Sequence, residues 1–123
     1  MNAIKIYISG PITGIADNNV PAFNAAAAEL RARGYEVVNP VESDCECQNV
    51  WTEYLKKDIK QMLECDAVVV LNGWNNSRGA RLEVYIATCL GLPILEAETM
   101  EVVPLDVVVL PAFAISGIME EKR

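Results

Sequence analysis

Glu83 and Asp58 are carboxylates set where helical periodicity asks for apolar side chains. With about 100° per residue, Glu83 lies about 20° from Leu90, about 40° from Ala87 and about 60° from Ala80 and Ile86. Asp58 repeats the placement one helix earlier, within about 20° of Trp51, about 40° of Met62 and about 60° of Leu55. An acid on a buried stripe needs a proton or a polar partner. Two such acids imply a shared polar pocket between buried helices and acid–base chemistry within it. The plainer alternatives are that Glu83 pairs with Arg78 or Arg81 at the helix edge, and that Lys56, Lys57 or Lys60 reaches back to Asp58.

The rest of the chain narrows that chemistry. There is no His among the 123 residues, which excludes Ser-His-Asp triads, His acid–base catalysis and most catalytic zinc sites. Proton transfer falls to carboxylates, Tyr, Lys or Cys. Cys45-Glu-Cys47 lacks the second pair or His that would complete a metal site, and Cys65 and Cys89 read as small core residues, so no metal and no cofactor is expected. The net charge of −7 argues against nucleic acid as a partner, while leaving room for one small anion held by backbone amides. The chain opens on a strand rather than a signal peptide, and no apolar run reaches the roughly 20 residues of a membrane span. The expectation is a cytoplasmic protein with no membrane partner.

The elements that must position the two acids follow from pattern. Ile4–Ser9, Tyr35–Asn39, Ala67–Leu71 and Leu92–Glu96 read as short strands, with Val107–Leu110 as a fifth. Helices are predicted over Ala22–Arg33, Trp51–Glu64 and Arg78–Leu90, with Pro21 in the first turn of one and Gly34 and Gly91 as stops. Ala25–Ala28 reads as a close-packing helix face. Alternating strands and helices with near-continuous apolar strands predict an α/β fold: a flavodoxin- or Rossmann-like doubly wound sheet of about five mostly parallel strands flanked by helices. Residues 1–123 form one domain, with 100–123 as an oligomerisation tail.

In such sheets ligands sit beyond the carboxyl ends of the strands, where strand order reverses. The loops there are Gly10–Gly14, Asn39–Asn49 and Asn72–Gly79. Tyr7 lies near the end of its strand, so its phenol belongs either to the core or to this cleft. The hydroxyls of Ser9, Thr13 and Ser77 and the amides around Gly10, Gly14 and Gly79 suit an anion or a sugar hydroxyl; neither loop matches a nucleoside triphosphate or dinucleotide fingerprint. Trp74 and Trp51 pack in the core or stack on a flat ring.

Together, Tyr7-Ile-Ser-Gly-Pro-Ile-Thr-Gly14, Asp58, the run Asp66–Leu71 and Ser77-x-Gly79-x-x-x-Glu83 resemble the nucleoside 2-deoxyribosyltransferase superfamily over roughly the first 95 residues. The likeness is greatest to its small phage and bacterial branch and to the nucleotide N-glycosidases. The resemblance implies cleavage of the bond between a nucleobase and C1′ of a (deoxy)ribose, without a cofactor. By similarity Glu83 is the nucleophile or stabilises the oxocarbenium-like transition state, Asp58 holds the sugar or protonates the departing base, and Tyr7 orients Glu83. Two carboxylates with split pKa values are standard equipment for glycosidic cleavage. Ser9, Gly10, Ile12, Thr13, Gly14, Trp74, Ser77 and Gly79 are the implied substrate contacts.

The departures are specific. Nucleotide-hydrolysing members carry an Arg where this chain has Thr13, so a 5′-phosphate would rest on amides, Ser77 and Arg78. The run around Ser116 resembles the segment by which a neighbouring subunit supplies a serine to the phosphate site, implying a homodimer or larger homo-oligomer. The expected activity is hydrolysis or deoxyribosyl transfer on a nucleoside or nucleoside 5′-monophosphate. The alternatives are a binding module that senses or sequesters a nucleotide and an oligomeric scaffold with a vestigial pocket.

Overall fold

Four apolar strands, each too short to fold alone, form the centre of the computed structural model, which describes residues 3–42 and 50–104. They are β1 (Lys5–Ser9), β2 (Glu36–Val38), β3 (Ala67–Val70) and β4 (Ile94–Glu96). All pair in parallel, in the order β2-β1-β3-β4. The helices are α1 (Val20–Ala32), α2 (Trp51–Met62) and α3 (Arg78–Cys89). The architecture is thus a small parallel sheet flanked by helices, in the flavodoxin-like arrangement. The expected fifth strand at Val107–Leu110 lies outside the described residues, as do Cys45, Cys47 and Ser116.

Strand alternation sorts the core into two layers. Ile6, Ile8, Val69 and Leu71 pack with Phe23, Ala27 and Leu30 of α1. Tyr7, Val68 and Val70 face the other way, against Met62 of α2 and Val84 and Ala87 of α3. Successive residues of β1 and β3 are buried on both sides, which is why those strands read as unbroken apolar runs. Ser9 follows Tyr7 by two residues and so shares its face, beneath the helices that carry Asp58 and Glu83.

Helix and strand ends differ from expectation by a few residues. Helix α1 begins at Val20, because Pro21 suits the first turn and needs no hydrogen-bonded amide. Leu90, expected on the buried stripe of α3, caps the helix and is 56% exposed. Of the Ala25–Ala28 run, only Ala27 is buried. Cys65 is buried as expected, whereas Cys89 is exposed. Among the described residues, no helix is long and apolar enough to cross a membrane.

Candidate active site

The sheet order places the reversal between β1 and β3: from β1 the chain passes to β2 on one side, then crosses to β3 on the other. The loops after β1 and β3 therefore flank a crevice, with α2 and α3 above it. Gly10 permits the close approach of these loops. A Cβ there would sit 2.8 Å from Leu71 Cβ. After β3, Gly73 turns the chain at φ 87°, and Ser77 starts α3 by accepting a hydrogen bond from Ala80 N at 3.2 Å. Glu83 follows in the second turn, directed at the sheet.

Glu83 is only 5% exposed, yet both its oxygens are held. Tyr7 Oη donates to Oε2 at 3.0 Å, and Ser9 Oγ donates to Oε1 at 2.6 Å. Neither Arg78 nor Arg81 supplies these bonds, so the helix-edge alternative is replaced by a carboxylate anchored to the strand below. Burial pushes the Glu83 carboxyl up to about 8, against the two hydroxyl donors, with the nearby Asp58 charge adding to the rise. The Tyr7 phenol is driven well above its ordinary value by burial and by the same carboxylates.

Asp58 is buried too, on α2. Its pKa is raised by burial, and Lys57 opposes the rise. Lys57 Nζ lies 3.4 Å from Asp58 Oδ1 and donates to Pro40 O at 3.2 Å. The long side chain does reach back, although its Cα points elsewhere on the helical wheel.

Both acids line one cavity of about 90 Å³, together with Tyr7, Gly10, Ile12, Thr13, Trp51, Ser77 and Gly79. A wider hollow of about 490 Å³ shares Thr13, Trp51, Ser77 and Gly79 with it and adds Asn19, Asn72, Asn76 and Arg78. The Arg78 guanidinium, which lines the wider hollow, lies 4.5 Å from the centre of the Trp51 ring, which lines both spaces. The arrangement offers a proton-bearing carboxyl, a second carboxylate and hydroxyl or amide donors around one small ligand. Among the described residues, no cluster of His, Cys, Asp or Glu is placed to hold a metal ion.

Most of the expected site residues converge here, but three do not line either space. Ser9 is wholly enclosed, and its hydroxyl serves Glu83 instead of facing the cavity. Gly14 turns the loop at φ 83° away from the lining. Trp74 packs against the α2–α3 side of the core and lines a different hollow with Glu96 and Glu98. Trp51 takes the place at the cavity that was considered for either indole. Phe23, Pro40 and Asn19 were missed, since nothing in their local sequence marks them as site residues; they arrive by folding alone.

Two solved structures share this fold at low identity. A conserved protein from Enterococcus faecalis V583 matches with TM-score 0.60 and 22% identity over 77% of this chain, which spans 63% of that protein's length. The 2-deoxyribosyltransferase of Bacillus psychrosaccharolyticus matches with TM-score 0.61 and 20% identity, over 84% of this chain and 79% of that one. The search of curated proteins finds no match. Residues 4–96 match the domain of unknown function DUF4406, which takes in both acids and every strand described above, and the chain belongs to that family.

Proposed function

We propose that this protein cleaves the N-glycosidic bond of a nucleoside or nucleoside 5′-monophosphate, by hydrolysis or by deoxyribosyl transfer. The observation that carries the reading is Glu83 itself: enclosed, held on both oxygens by Tyr7 and Ser9, and sharing a small cavity with Asp58. The fold shared with a 2-deoxyribosyltransferase supports nucleoside-related chemistry.

In this reading the sugar occupies the narrow cavity, and the wider hollow by Ser77 and Arg78 accepts the 5′ end. Glu83 holds its proton below its pKa of about 8, and Lys57 beside Asp58 favours the ionised form of the second carboxyl. As the bond from C1′ to the base stretches, positive charge at C1′ stabilises ionised Glu83, and the proton passes through Asp58 to the departing nitrogen. Glu83 then forms an ester at C1′. Water, or the nitrogen of a second base, displaces it and returns a proton to Asp58.

The test is incubation of purified protein with each nucleoside and 5′-monophosphate, with and without free base, followed by chromatography. Free base should appear from at least one substrate and fall at least about a hundredfold in Glu83→Gln, with the fold retained. Release of no base from any substrate overturns the proposal, and undiminished turnover in the variant removes Glu83 from the mechanism.

A further inference from the structure

The two carboxyls of the cavity have unlike neighbours. Glu83 receives two neutral hydroxyls. Asp58 has a cation 3.4 Å from its buried Oδ1, and that cation favours its ionised form. That cation is not loosely held. Lys57 Nζ donates to the Pro40 carbonyl at 3.2 Å, its side chain is 19% exposed, and the Tyr54 ring lies 5.8 Å away. Pro40 itself lines the cavity. The lysine thus joins the loop after β2 to one carboxylate of the pair.

We infer that Lys57 is a positioning residue that keeps the negative charge of the pair on Asp58 and leaves their shared proton on Glu83. Among the described residues, Glu83 from α3 and Tyr7 from β1 share the cavity with Asp58, and its charge raises the pKa of both. Deeper burial raises Glu83, and a cation within about 4 Å favours ionised Asp58, so burial and Lys57 together set the two acids apart. Direct contact with substrate is not required of it. Lys57 acts through Asp58, storing the proton at the deeper carboxyl until a ligand draws it out. Its catalytic consequence rests on the proposed glycosidic reaction; the proton's location does not.

Carbon-13 NMR titration of the side-chain carboxyls in the ligand-free protein decides the matter without substrate. In the wild type, Asp58 should ionise first as pH rises and Glu83 second. Lys57→Met should raise the Asp58 transition by about one pH unit or more, and Lys57→Arg should restore it. Glu83 ionising before Asp58 in the wild type overturns the inference, even if the Met variant does not fold. So does a Met variant whose Asp58 titrates where the wild type's does. If base release is found, the acid limb of kcat/KM should move upward in Lys57→Met and return in Lys57→Arg; a protein that releases no base, yet titrates as expected, refutes the reaction and retains Lys57's role.

Discussion

Glu83 makes the protein's stability depend on pH in a defined direction. Its folded pKa of about 8 exceeds the ordinary 4.5, so between those values the native state holds a proton that the unfolded chain releases. Stability is therefore fullest at low pH with respect to this group, declines through the window and levels off above about pH 8. At about 1.4 kcal/mol per pH unit, the penalty reaches several kcal/mol. Glu83→Gln mimics the protonated acid and should lack this slope, so thermal unfolding of the two proteins should diverge as pH rises from 5 to 8, with the variant the more stable. A gap that stays constant would mean that Glu83 is ionised throughout. Ser9→Ala should raise the Glu83 pKa further by removing its 2.6 Å donor, so that the same decline continues to higher pH before it levels off. At this scale the acids were legible because a charge breaks an apolar stripe. Ser9 was expected as a substrate contact and not as Glu83's partner, since that bond joins residues 74 positions apart. Trp51 and Trp74 could not be told apart, because which indole meets the cavity depends on how α2 leans on α3.

The elements were readable from apolar runs and from Gly and Pro punctuation, and their ends less so. Terminal turns are held by single contacts, and Leu90 shows the result: correct on the wheel, but beyond the last helical residue. Two glycines of the site separate structural from functional need. At Gly10 an added Cβ meets Leu71 Cβ at 2.8 Å, the stem of a side chain rooted just beyond β3. Gly10→Ala should cost about 1–3 kcal/mol in denaturant unfolding. At Gly79 the nearest atoms to an added Cβ are Leu55 and Trp51 at 3.9 Å, so the backbone has room for alanine. Helix propensity then favours Gly79→Ala by about 0.5–1 kcal/mol. Its Cβ enters the cavity, however, at the amino end of α3. Gly79→Ala should therefore be as stable as wild type or more so while losing base release; retained activity would show that no ligand approaches the α3 terminus there.

The whole molecule adds what no single element contains: a strand order that reverses between β1 and β3, so that residues 7, 13, 58, 77 and 83 share one crevice. Alternation predicted the parallel sheet, but the order itself is a property of how α1 and α2 cross the sheet. The molecule also carries its net charge of −7 to every ligand. For a doubly charged monophosphate about 20 Å from the centre of charge, screened repulsion is on the order of 1 kcal/mol at 0.01 M salt and nearly vanishes at 0.15 M. Arg78 at the mouth of the hollow opposes this only at short range. For a monophosphate, kcat/KM should thus rise a few-fold with salt over that range, whereas a neutral nucleoside should show no change. Measured with subsaturating substrate, a fall with salt would mean that local attraction around Arg78 outweighs the charge of the rest of the chain, and that the mouth of the crevice selects for the 5′-phosphate.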